Sequence, residues 1–139
     1  MRKILVPIDG SGNSARVVHE VLRLATALRE PLEVHLVNVQ PPFPGTITGV
    51  AAEARQYHEE QSGLAFAGAC KALEGAGAKY TKHALVGDPA RIVAQLVDEL
   101  KCDQVIMGTR GMGVIANMLM GSVAAKVLHL VSVPVTLVK

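Results

Sequence analysis

The chain has 139 residues, the length of a single domain with room for a substantial core. Half of the residues are apolar, which excludes a disordered chain, and only 3% are aromatic, so the core has to be aliphatic. The formal net charge of +2 gives little support to nucleic-acid binding, and we expect no nucleic-acid partner.

The sequence also argues against a membrane or secreted protein. The short apolar run after Met1 lacks the long apolar region and the cleavage site of a signal peptide. The most apolar stretch, Val123 to Val138, is interrupted by charged and polar residues and by a proline, so it does not predict a membrane span. Cys70 and Cys102 lie far apart without metal-ligand spacing and are expected to be reduced, mostly buried thiols. We therefore expect a cytoplasmic protein with no membrane partner.

Short β-branched runs alternate with helical patterns along the whole chain. The runs predict five strands, at residues 4–8, 32–39, 80–86, 104–107 and 133–138. Apolar residues at helical spacing predict four intervening helices, near residues 18–28, 52–73, 92–100 and 122–130. The third of these helices has a clear start, with Asp88 as N-cap and Pro89 at the first helical position.

This alternation predicts one α/β domain over residues 1–139, a doubly wound, open, parallel five-stranded sheet with helices on both faces. The first and fourth strands are apolar on both faces and belong in the middle. The third strand is polar and the fifth carries Pro134, so both belong at edges. The order 3-2-1-4-5 satisfies these conditions. It makes strands one and four neighbours where the winding reverses, and ligands of such sheets bind beyond the carboxyl ends there.

Glycine-rich segments follow both of these strands. The first contains Asp9, the one carboxylate expected at the carboxyl ends of strands one and four, which form the mouth of the sheet. Asp9 either contacts a ribose hydroxyl or a metal-bound phosphate, or it supports the turn or caps the first helix. Gly10 and Ser11 are expected to be turn and cap residues. After strand four, residues 108–113 and then Gly121 and Ser122 provide backbone amides and a hydroxyl suited to an anion. Arg110 either adds charge or points into water.

Two common phosphate-binding motifs are absent from the sequence, and the remaining features give no specific sign of a function. Strand one is not followed by Gly-x-Gly-x-x-Gly, and no Gly-Lys-Ser/Thr phosphate loop occurs, so neither the dinucleotide fingerprint nor the P-loop is present. The five histidines are scattered, and we interpret them as structural or solvent-facing. The loop from Gln40 to Gly49 is either a flap or a passive connection. No catalytic residue is identified.

Taken in order, the motifs resemble the universal stress protein family over the whole chain. Most specific is Gly108-Thr109-Arg110-Gly111, then nine residues, then Gly121-Ser122, which matches the G-x-x-G-x(9)-G-(S/T) pattern of the family's ATP-binding branch. Four further segments resemble the family's start, second strand, third-helix entry and end: residues 3–11, 36–39, 87–89 and 133–135.

The resemblance implies an adenine nucleotide, ATP or else ADP or AMP, bound with magnesium or manganese. Around the base and sugar it places Pro7, Ile8, Asp9 and the backbone of Val39, and under the nucleotide it places Met107 and Gly108. Around the phosphates it places Gly111, Gly121, Ser122 and Val123, to which we add Arg110 for its charge. It also implies a homodimer that pairs through the last strand, Val133 to Val138.

Three functions remain open. The first is a regulatory nucleotide-binding protein of the stress response with little or slow ATP hydrolysis. The second is an enzyme of the wider group of adenine-nucleotide hydrolases and adenylyl transferases, although the chain shows no second substrate pocket or catalytic basic pair. The third is a nucleotide-independent dimeric interaction module.

Overall fold

The computed structural model describes residues 1–42, 51–109 and 120–139, and for residues 51 and 52 it describes the backbone alone. Strands and helices alternate throughout these ranges. In chain order they are β1 Arg2–Pro7, α1 Asn13–Ala27, β2 Leu32–Gln40, α2 Ala51–Gly75, β3 Tyr80–Val86, α3 Pro89–Leu100, β4 Gln104–Gly108, α4 Ser122–Leu130 and β5 Val135–Val138.

The five strands form one parallel sheet in the order β3-β2-β1-β4-β5, as the sequence predicts. Ile4 of β1 pairs with Val34 of β2 on one side and with Gln104 of β4 on the other. β1 is therefore the central strand, and β1 and β4 are neighbours at the point where the winding reverses.

Two strands begin at a different residue from the one predicted. β1 begins at Arg2, which donates its N–H to the Pro31 carbonyl at 3.1 Å, because the polar start of the strand still pairs with β2. β5 begins at Val135 rather than Val133. Pro134 has no N–H to donate, and only its carbonyl takes part, accepting the Val105 N–H at 3.0 Å.

The core has two layers because successive side chains of a strand point to opposite faces of the sheet. Ile4 and Val6 of β1 pack against α1 and α2, together with Leu36 of β2. Leu5 and Val37 lie on the other face, against α3 and α4. The strands are therefore covered on both faces, which explains their continuous apolar runs.

The predicted start of α3 is confirmed. Asp88 is the N-cap and accepts the Arg91 N–H at 3.4 Å, and Pro89 is the first helical residue. Among the described helices, none is long and apolar enough to cross a bilayer.

Two of the histidines that are scattered in the sequence meet in the fold. His35 is 5% exposed, and its Nδ1 lies 3.0 Å from His83 Nε2 while its Nε2 lies 2.7 Å from Glu33 Oε1. Burial lowers the pKa of His83, and the neighbouring His35 ring lowers it further.

Within residues 1–42, 51–109 and 120–139, no three His, Cys, Asp or Glu side chains are grouped to hold a metal ion.

Candidate functional site

The carboxyl ends of β1 and β4 form the centre of the candidate site. Thr109 follows β4 directly, and its N–H donates to the Val138 carbonyl at 2.9 Å. Its own carbonyl accepts the Gly121 N–H at 2.6 Å, which brings the start of α4 to the end of β4. The structure therefore brings Gly108, Gly121 and Ser122 together at the carboxyl end of β4.

Gly121 occupies the N-cap position of α4, where a glycine has no side chain to cap the helix. Its backbone is extended, with φ of −73° and ψ of 162°, and its carbonyl accepts the Ala125 N–H at 3.1 Å. The first amides of a helix have no intrahelical acceptor and carry the positive end of the helix dipole. The start of α4 is thus suited to an anionic group.

Asp9 begins the turn between β1 and α1. Its Oδ1 accepts the Ser11 N–H at 2.9 Å and lies 3.4 Å from the Ser14 hydroxyl, which donates to it. The carboxylate therefore supports the turn, one of the roles considered for it. The prediction that Ser11 caps α1 is wrong, because Gly12 is at the N-cap position. The Ser11 hydroxyl oxygen is shielded from solvent and makes no hydrogen bond within the described part of the chain.

Gly10 packs this turn directly against α2. Its φ is +82°, a left-handed conformation that favours glycine. A Cβ atom at this position would lie 3.1 Å from the Ala65 Cα and 3.3 Å from the Ala65 Cβ. The turn residue predicted from the sequence is thus also a close helix contact.

A buried asparagine that the sequence analysis did not select holds the end of β1. Asn38 of β2 is 2% exposed, and its Nδ2 donates to the Ile8 carbonyl at 2.8 Å. Its Oδ1 accepts from the Ser62 hydroxyl at 3.0 Å and from the Gln40 amide at 2.7 Å. One signal was present in the sequence, since an asparagine on the face that Leu36 buries needs polar partners.

The remaining predicted residues differ in what they can offer a ligand. The Ile8 side chain is buried against α1 and α2, and that of Met107 is buried in the opposite layer. Both can therefore present mainly backbone at the mouth. Val39 and Val123 are partly buried against the α3–α4 layer. Pro7 is partly buried at the end of β1.

Two of the predicted phosphate residues, Arg110 and Gly111, lie outside the described residues, and so does the Gln40 to Gly49 loop beyond residue 42.

An open parallel sheet with a glycine-lined mouth at its winding reversal defines the class of α/β proteins that take ligands beyond the carboxyl ends of their strands. The sequence model of the Universal stress protein family matches residues 1–139. The chain belongs to that family.

Individual relatives agree with this assignment. The universal stress protein MJ0531 of Methanocaldococcus jannaschii is 28% identical over 144 residues, which span 99% of this chain and 82% of the relative. The solved structure of the protein MJ0577 is 26% identical, with a TM-score of 0.85 over 99% of this chain and 95% of that one. A universal stress protein solved in complex with cAMP is 28% identical, with a TM-score of 0.70 over 99% of this chain and 97% of that one.

Proposed function

We propose that this protein binds an adenine nucleotide, ATP in the first place, and acts as a cytoplasmic regulatory protein of the stress response with little or slow ATP hydrolysis. The observation that carries the proposal is the hydrogen bond from the Gly121 N–H to the Thr109 carbonyl. It holds the start of α4, which no side chain caps within the described residues, at the end of β4. β4 pairs with β1, the strand that leads into Asp9. The cAMP complex of a relative supports the same ligand class.

The chemistry of the donors fits such a nucleotide. The α4 amides at Ser122 and Val123 suit the phosphates, and the Ser122 hydroxyl adds a further donor. The carboxylate of Asp9 suits the ribose hydroxyls, which are hydrogen-bond donors. Arg110 and Gly111 belong to the proposed phosphate set.

A divalent ion, magnesium or manganese, fits as a companion of the phosphates. Magnesium usually keeps several waters and takes one or two carboxylates in addition to substrate phosphate oxygens. Asp9, two residues after the end of β1, offers one such carboxylate. The ion would neutralise phosphate charge there.

We further propose a homodimer formed through the last strand, Val133 to Val138. β5 is an edge strand that pairs with β4 on one side only, and its four residues are partly buried. An unpaired edge offers backbone N–H and C=O groups to a second strand. Pro134 lies just before β5, so the missing donor does not interrupt the strand itself.

The first test is to purify the protein without added nucleotide, denature it and analyse the released molecules by chromatography and mass spectrometry. Near-stoichiometric adenine nucleotide supports the proposal. If none is recovered, Mg-ATP is added at millimolar concentration and the melting temperature is measured. A ligand at about 100 times its Kd adds about 2.7 kcal/mol to the free energy of unfolding. No shift would leave the nucleotide-independent interaction module as the better description.

The variant Gly121→Val tests whether the phosphates bind at the start of α4. The φ of −73° at Gly121 is accessible to valine, so the variant should fold, while its side chain would occupy the space in front of the α4 amides. We expect the variant to lose ATP binding at an unchanged fold. Ser122→Ala is the matched control, because it removes one hydroxyl donor and should weaken binding only about tenfold or less. Normal ATP binding by Gly121→Val would show that the phosphates lie elsewhere.

A further inference from the structure

Both backbone polar groups of Ile8, the residue before Asp9, form hydrogen bonds with β2. The Ile8 N–H donates to the Val37 carbonyl at 2.8 Å, and the Ile8 carbonyl accepts from Asn38 Nδ2 at 2.8 Å. The first bond continues the sheet ladder by one residue beyond β1. The second is made by a side chain, so the sequence at position 38 determines whether it exists.

The orientation of the Asn38 amide follows from its partners. A carbonyl can only accept, so the atom that faces the Ile8 oxygen has to be the NH2 group. Oδ1 then faces two donors, the Ser62 hydroxyl and the Gln40 amide. Because Asn38 is 2% exposed, water does not replace these bonds, and each lost bond leaves a buried polar group without a partner.

The same contacts connect the turn to α2. Ser62 bonds to Asn38, and Ala65, one turn further along α2, packs against Gly10. Residues three apart in a helix lie on the same face. One face of α2 therefore supports both Asn38 and the turn that carries Asp9.

We infer that Asn38 is a positioning residue for the nucleotide site. By fixing the Ile8 carbonyl it sets the direction in which the chain enters Asp9, so that the carboxylate is in place before the ligand binds. This inference rests on the proposed function and specifies which residue outside the motif preorganises the site. Binding to a preorganised turn avoids the entropic cost of ordering it.

The test is the affinity for Mg-ATP of two variants, measured by calorimetry from pH 5.5 to 8.0 as a ratio to the wild-type protein. In Asn38→Asp, an ionised carboxylate faces the Ile8 carbonyl and repels it, whereas a protonated carboxyl donates to it. Because position 38 is buried, the pKa of the new carboxyl should rise from its usual value of about 4 into the tested range. We expect about tenfold weaker binding at pH 8.0 and recovery towards wild type at pH 5.5. Leucine is similar in size to asparagine but has no hydrogen-bond donor. Asn38→Leu should therefore bind Mg-ATP about tenfold more weakly than the wild type at every pH.

Val93→Ala is the matched control, since it removes buried methyl groups from α3 in the opposite layer and should leave affinity within about twofold. The inference is overturned if neither Asn38 variant weakens binding, or if Val93→Ala weakens it as much. It is also overturned if the loss in Asn38→Asp does not diminish with falling pH. If Asn38→Asp does not fold at pH 8.0, Asn38→Leu decides alone. A wild-type protein that does not bind Mg-ATP at all overturns the proposed function itself.

Discussion

The close contact between Gly10 and α2 makes a quantitative prediction for Gly10→Ala. At the φ of +82° an L-residue costs about 1–2 kcal/mol relative to its usual conformations. The new Cβ would also lie 3.1 Å from the Ala65 Cα, a backbone atom of α2 that cannot rotate away. Overpacking of this kind costs about 1–3 kcal/mol. Together we expect the free energy of unfolding to fall by about 3 kcal/mol.

Two other glycines separate these two contributions. Gly77 has a φ of +70°, but apart from its chain neighbours no atom of the described residues lies within 4 Å of the place that a Cβ would take. Gly77→Ala should therefore cost only the conformational part, about 1–2 kcal/mol. Gly12 has a φ of −59° and equally open surroundings, so Gly12→Ala should change stability by less than about 1 kcal/mol. Gly10→Ala should therefore be the most destabilised of the three.

The assay is urea unfolding followed by far-UV circular dichroism at 25 °C for the wild type and the three variants. Equal m-values would show that the same two states are compared. If Gly10→Ala loses no more stability than Gly77→Ala, the turn does not pack against Ala65 in solution, and the reasoning from the contact fails.

Three further predictions concern the rest of the fold. Asp88→Ala should lower the free energy of unfolding by about 1 kcal/mol in urea titrations, whereas Asp88→Asn keeps a cap acceptor for the Arg91 N–H and should lose less. The pKa of His83 is lower in the folded protein than its value of about 6.5 in an unfolded chain, so stability should fall as the pH drops below about 6.5. His83→Gln should reduce that loss in melting curves from pH 7.5 to 5.5, and an unchanged loss would contradict the assignment. Burial raises the pKa of the Cys102 thiol to about 11, so iodoacetamide at pH 8 should alkylate Cys102 far more slowly than the partly buried Cys70, as peptide mass spectrometry can show. Equal rates would mean that Cys102 is not buried in solution.

The strand order could be predicted from the sequence because burial leaves a mark on each strand. β1 and β4 are apolar on both faces, while β3 carries the polar residues of an edge. Pro134 indicated that the last strand lies at the other edge, but β5 begins after this proline and not before it. A residue without an N–H can still contribute a carbonyl to the ladder, so only the structure locates the first paired residue of β5.

The mouth could be located from the sequence, but not the contacts that shape it. Asp9, Gly108 and Gly121 follow from motif and topology. The Asn38 bonds to Ile8 and Ser62 span 30 and 24 residues, and no local pattern encodes such pairings. His35 and His83 are likewise 48 residues apart, and their contact depends on the register of β2 against β3.

The shape of the mouth therefore depends on helix α2 as much as on the glycines of the turn. Gly10 permits the left-handed angle, but Ala65 decides how closely the turn can approach α2. Ser62, on the same helix face, donates with Gln40 to the Oδ1 of Asn38 and so holds that side chain in place. A chain could keep every residue of the glycine motif and still present Asp9 differently if α2 carried larger side chains at these two positions. Differences in nucleotide preference between chains that share the motif should thus be sought on this face of α2 as well as in the motif itself.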